Sequence, residues 1–203
     1  GDAAAGALVA HLGARQALAW VHSAGQDPSA AGLDLAASAG PDLARASLAA
    51  HERWWRRRDS AQAPHVERAR AVGARVITRG HDAWPSCLAD LGPSEPFALY
   101  VRSARDLEQW LPRAWENSVA LVGARAASSY GTYLAHRLGA DLSGYGRAVM
   151  SGGAFGVDAA AHRGALDAGG ETIAMMAGGV DRLYPAGNAE LLDSVIANGA
   201  VSS

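Results

Sequence analysis

The sequence predicts an α/β fold: a doubly wound parallel sheet preceded by a small all-α N-terminal domain. Three observations carry this. From Ser118 onward, short continuous apolar runs alternate with helical runs of about 11–14 residues, the pattern of parallel strands covered on both faces. The apolar runs end in glycine-rich loops: GARAASSYG at 123–131, SGGAFG at 151–156 and GGVDRLYPAGN at 178–188. Residues 1–60, by contrast, read as helices. The expected domains are 1–65, helical, and 66–203, built on the sheet.

The elements follow in order. ALVAHLGARQALAWVHSAG places Leu8, Leu12, Ala19 and Trp20 near a helical period and stops at Gly25. The turn-rich GQDPSAAG separates it from a second helix, about Pro41 to Arg58, ending in HERWWRRR. Four arginines and two tryptophans there suit either a nucleic-acid patch with stacking rings or a solvated helix end anchored by Trp54 or Trp55; the second reading is favoured. A composition shift at DSAQAPH, 59–65, precedes the amphipathic VERARAVG and a strand at ARVITRG. Turn signals at His81–Pro85 and Gly92–Pro96 lead to a strand at Phe97–Val101. Next come the strand SVALVG, a helix at TYLAHRLGADLSGYG with Leu134, Leu138 and Leu142 in one stripe, and the strand RAVMSGG. The helix VDAAAHRGALDAGG, the strand ETIAMMAGG and the helix AELLDSVIANG complete the alternation. AVSS starts a further strand, and the pattern expects more sheet after Ser203.

Composition narrows the function classes. All 18 basic residues are arginine, whose planar fork suits phosphate, yet the net charge of −2 gives no global polyanion signature. Polyanion binding therefore has to come from a local patch. No apolar run reaches the roughly 18–20 residues of a membrane span, and no secretory leader is evident, so a soluble, cytoplasmic protein without membrane partners is expected. The single Cys87 excludes an internal disulfide framework and a multi-cysteine metal site and is expected in the core.

In open parallel sheets ligands bind beyond the carboxyl ends of the strands, where the three glycine loops fall. Gly123 allows a sharp turn, and Arg125 stands two residues beyond it, placed to enter the crevice or to pair on the surface. Ser128 or Ser129 is expected to cap the next helix. Gly152, Gly153 and Gly156 allow close backbone approach, and successive amides there can nest an anion. Phe155 either stacks on a base or plugs the core. Asp158 is expected to N-cap a helix over 159–168, with His162 a turn later as a hydrogen-bonded structural residue. Asn188 is read as a cap for the last helix or as a polar contact on the same edge. With no lysine there is no Walker A loop, and neither GxGxxG nor a G-x-S-x-G elbow occurs.

ALVGAR at 120–125, SGGAFGVDAAAHRGAL at 151–166 and TIAMMAGGVDRLYPAGNAEL at 172–191 closely resemble the DprA/Smf family of DNA-processing proteins. ARVITRGHDAWPSCLADLGPSEPFALYVR at 74–102 resembles the family's segment before the core, with Trp84 where Tyr is commoner. The resemblance implies an extended Rossmann-like fold, a SAM-like or helix-hairpin-helix-like N-terminal domain, and binding of single-stranded DNA. It further implies protection of DNA in natural transformation, loading of the RecA recombinase, a homodimer in the full-length protein, no cofactor and no enzymatic activity. Carried over by position, the DNA pocket would use Gly123, Arg125, Ser151, Gly152, Gly153, Phe155, Gly156 and Asn188. Three departures stand out: Ala124 where Ser or Thr is commoner, Gly153 where a larger apolar residue is usual, and no second half of the sheet after Ser203.

Two other readings compete. A nucleotide-binding phosphoribohydrolase of the LOG/lysine-decarboxylase-like group also places SGG after a strand, but its PGGxGTxxE motif does not occur here. A scaffold whose loops bind only RecA or another partner is the third.

Overall fold

The computed structural model describes residues 2–25, 28–57 and 64–203, which divide into two compact units. The expected linker at 59–65 lies outside the described residues except for Pro64 and His65, and so does Arg58 of HERWWRRR.

The first unit joins four helices, α1 (Ala3–Leu12), α2 (Ala14–Ala24), α3 (Ser29–Ala39) and α4 (Pro41–Arg57), with the segment Ser86–Phe97. The single long helix expected before Gly25 is two helices, because Gly13 adopts φ 78° and breaks the register. Leu8, Ala17, Leu35 and Ala44 form its core, with Trp20 and Trp54 packed against them. Trp54 Nε1 donates to Asp2 (3.0 Å), whose carboxyl also caps α1 through the amides of Ala4 and Ala5. Burial pushes this carboxyl up, but hydrogen bonds from Trp54, Ala5 and Arg53 outweigh it and hold the group below its ordinary range. Trp54 is thus an anchor, as the second reading of HERWWRRR has it. Cys87, expected in the core, is exposed, because it lies in a short 3-10 segment, Ser86–Ser94, that has no fully buried residue.

The second unit is a six-stranded mixed sheet. Its strands are β1 (Ala74–Thr78), β2 (Ala98–Arg102), β3 (Ser118–Ala120), β4 (Ala148–Ser151), β5 (Thr172–Met175) and β6 (Ala200–Ser202), in the order β1-β2-β6-β5-β4-β3. The pairs β3–β4, β4–β5 and β5–β6 are parallel, whereas β1 and β2 form an antiparallel pair that joins β6 antiparallel. Crossovers run through α7 (Ser129–Gly144), α8 (Val157–Asp167) and α9 (Ala189–Asn198); α5 (Pro64–Ala71) and α6 (Leu107–Glu116) complete the unit.

The leucine stripe expected on α7 packs only through Leu142; Leu134 and Leu138 are exposed. The buried face of α7 is instead Ala135 and Gly139. A Cβ at Gly139 would run into the Ala161 carbonyl, and one at Gly164 into the His136 carbonyl, so glycine lets the α7 and α8 backbones touch. Ala161, Ala165, Leu121 and Leu142 then pack with Val149 of β4. On the β5–β6 side, Ala174, Leu192, Val195 and Val201 form a second cluster with Val180 and Ala69. Helix α6, in a stretch to which sequence reading assigned no element, buries Leu107, Trp110, Leu111, Ala114 and Trp115. Arg105 and Arg113 both reach Glu171 (2.8 and 2.9 Å), tying the turn before α6 and its last turn to the residue that precedes β5.

Candidate nucleic-acid interface

The carboxyl ends of β3, β4 and β5 open onto one cleft of about 230 Å3, lined by Arg125, residues 152–155, Asp158, residues 175–178, Tyr184 and Pro185. Glycine is required where the first two loops meet. Gly123 abuts Val157, whose Cγ2 would lie 2.7 Å from a Cβ there. Gly156 has φ 78°, and a Cβ would enter the Ala124 and Arg125 carbonyls. The Val157 amide donates to the Ala124 carbonyl (3.2 Å), so the GAR loop rests on the first turn of α8. This leaves Arg125 exposed at the cleft mouth; among the described residues it makes no ion pair or hydrogen bond.

Three consecutive carbonyls of the second loop are held from within. His162 Nε2 meets the Gly152 carbonyl (2.8 Å), and Asn188 Nδ2 donates to the carbonyls of Gly153 (2.9 Å) and Ala154 (3.0 Å). In a planar trans peptide the following N–H points opposite to the carbonyl. The amides of Gly153, Ala154 and Phe155 therefore point away from His162 and Asn188, and among the described residues no hydrogen bond takes them. Successive outward amides on cleft-lining residues form an arrangement that can accept an anion.

His162 is fully buried, and burial pushes its pKa down, which favours the neutral ring. A carbonyl only accepts, so Nε2 carries the hydrogen for Gly152, while Nδ1 lies 2.7 Å from the Thr172 Oγ1, whose own hydrogen goes to the Val149 carbonyl (2.8 Å). That tautomer leaves His162 no face toward the cleft, in keeping with a structural residue. Ser151 is likewise turned inward: its Oγ donates to the Leu121 carbonyl (2.5 Å), bracing β4 against β3.

Two expected caps are corrected. Helix α8 begins at Val157 with Gly156 as its N-cap and no side-chain cap; Asp158 is the second helical residue, and its carboxyl opens on the cleft. Helix formation starts earlier than expected because Gly156 can take the required positive φ. Asn188 occupies the N-cap position of α9 but makes no cap hydrogen bond, its amide being committed to the glycine loop. Ser128, as expected, caps α7 through the Gly131 amide (3.1 Å). Phe155 is 49% exposed, its ring edge 3.0 Å from where a Gly187 Cβ would stand, so it is no core plug.

Sequence reading missed Met175, Met176 and Tyr184 as cleft residues. The methionines end an apolar strand and read as core, while Tyr184 is 68% exposed beside Pro185, a turn signal that could have marked it. A Cβ at Gly153 would lie 2.7 Å from Met176 Sδ and 3.0 Å from the Tyr184 carbonyl. Met176 therefore occupies the space that a larger residue at 153 would need. Among the described residues no His/Cys/Asp/Glu cluster could hold a metal, and no helix is long and apolar enough to cross a membrane.

Parallel strands in sequential order, with a glycine loop leading into each crossover helix at their carboxyl edge, define a Rossmann-like α/β protein. Within that class the chain belongs to the DNA recombination-mediator protein A family, whose pattern matches residues 75–203. It is 40% identical over 139 residues to the putative DNA processing protein DprA of Mycobacterium tuberculosis strain H37Rv, covering 64% of this chain and 35% of that one. It is 30% identical over 129 residues to protein Smf of Synechocystis, covering 64% and 32%. The chain thus spans about a third of the length of these curated relatives. The X-ray structure of DprA from Streptococcus pneumoniae superposes with a TM-score of 0.60 at 24% identity, over 92% of this chain and 66% of that one. DNA processing protein A from Helicobacter pylori, described for its single-stranded DNA binding mode, superposes with a TM-score of 0.52 at 24% identity, over 64% and 54%.

Proposed function

We propose that the cleft binds single-stranded DNA. The outward amides of Gly153, Ala154 and Phe155 carry this reading: they offer phosphate three aligned donors with Arg125 beside them. The exposed rings of Phe155 and Tyr184 on the same cleft suit unstacked bases, which a duplex does not present. Gly123 and Gly156 act by permitting the loop contact, and Ser151 and Asn188 by fixing loop geometry, rather than as DNA contacts. The protein is a cytoplasmic DNA-processing factor without catalytic activity, its role being to shield the strand and pass it to RecA as a homodimer. Family membership and the single-stranded DNA described for the Helicobacter pylori protein support this.

Fluorescence anisotropy of a labelled oligo-dT across a salt series, with a duplex control, tests the reading. Wild type should prefer the single strand. Arg125→Ala should weaken binding and reduce the log–log salt slope by about 0.7, the value for one phosphate contact on a single strand. Equal duplex affinity, or an unchanged slope in the variant, would sink it.

A further inference from the structure

We infer that Asp158 reads the N–H edge of one base held in the cleft, giving the site a preference for guanine. This rests on the single-stranded DNA reading above and extends it from the backbone to the base. Asp158 is 9% exposed, lines the cleft, and among the described residues receives no hydrogen bond. It does not cap α8. Its Oδ2 lies 2.6 Å from where a Gly152 Cβ would stand, so glycine at 152 keeps the carboxyl uncovered.

Its carboxyl oxygens are not sealed from solvent, so the cleft is the side from which a donor can reach them. Carboxyl oxygens accept only, and phosphate oxygens accept too, so Asp158 is not the phosphate contact. That task falls to Arg125 and the loop amides. In a DNA strand, which has no 2′-hydroxyl, the donors are on the bases. The surroundings suit a base: Phe155 and Tyr184 expose aromatic faces, and Met175 and Met176 add an apolar lining. Reading an extruded base by its Watson–Crick edge between apolar groups is a general solution. Guanine alone presents two adjacent donors there, N1–H and N2–H, matching the two carboxyl oxygens. Thymine presents one N–H between two carbonyls, and those would face the carboxyl unfavourably.

The test is competition anisotropy with oligo-dT, the same oligonucleotide carrying one central guanine, and a third carrying hypoxanthine, which lacks the N2 amino group, at that position. Wild type should favour the guanine strand about fivefold or more, the lower end for a bidentate base contact. Hypoxanthine should remove most of that preference without any change to the protein. Asp158→Asn, which replaces one acceptor with a donor, should bring the ratio close to one. Equal wild-type affinity for the three strands overturns this inference and leaves the single-strand reading standing. Binding to none of them overturns both.

Discussion

Replacing His162 separates a structural role from a role in the cleft. In His162→Ala the Thr172 hydroxyl keeps a partner, because it lies 2.8 Å from the Val149 carbonyl and can donate there. The Gly152 carbonyl loses its donor. Gly152 is half-buried, so water can reach it and the cost is at the lower end of the usual range, about 1 kcal/mol. The imidazole is fully buried, and the cavity it leaves adds about 2 kcal/mol. The expected loss is about 3 kcal/mol, read by urea unfolding followed by circular dichroism at pH 7.5. The same residue gives a pH signature. Burial lowers its pKa in the folded state below the ordinary value of 6.5, so on acidification the unfolded chain takes up a proton before the native one does. Its contribution is complete above about pH 6.5. It is lost as pH falls through the window below that value, at up to about 1.4 kcal/mol per pH unit, until the folded group also titrates. His162→Gln lacks this slope, and subtracting its profile from wild type cancels the other histidines, including the exposed His136–Asp167 pair. An alanine variant within about 0.5 kcal/mol of wild type, or identical acid profiles for wild type and His162→Gln, would refute the assignment.

Two further outcomes follow from the packing. Gly164→Ala should cost about 2–3 kcal/mol, because its Cβ would press on the His136 backbone and force α7 from α8, whereas Gly144→Ala, which meets nothing within 4 Å, should be neutral or stabilise by up to about 1 kcal/mol; thermal melts distinguish them. Asn188→Asp should be less stable than Asn188→Ala, since a carboxylate would face the Gly153 and Ala154 carbonyls, and both should weaken oligo-dT binding by releasing the loop; an Asp variant as stable as wild type would contradict the clamp.

The alternation of apolar and helical runs was enough to place β3 to β6 and the helices between them, because buried parallel strands and amphipathic helices have different periods. The glycine loops were legible for a similar reason: a strand turning at once into a helix needs residues such as Gly156. Helix α6 escaped notice because Pro112 sits inside it and its preceding residues look like turn. The antiparallel β1–β2 pair followed from no local signal, since pairing direction is set by long-range register. Within the site, sequence identified the polar residues but not their direction. Asn188 and Asp158 both looked like helix caps, and only tertiary packing turned one onto the loop carbonyls and the other onto the cleft.

That division by direction explains why the motif is spread over three loops. The amide arrangement needs carbonyls drawn inward so that amides face outward. No single element of this chain does it: His162 comes from the second turn of α8, and Asn188 from the loop after β5. The shape of the loop following β4 is held by hydrogen bonds from both of those neighbours. Docking in turn requires the close α7–α8 contact at Gly139 and Gly164, and the α9 packing through Leu192 and Val195. Site geometry is therefore coupled to the integrity of the parallel sheet. A substitution remote from the cleft that loosens either helix should reduce the proposed DNA binding through the loop, without touching a residue that lines the cleft.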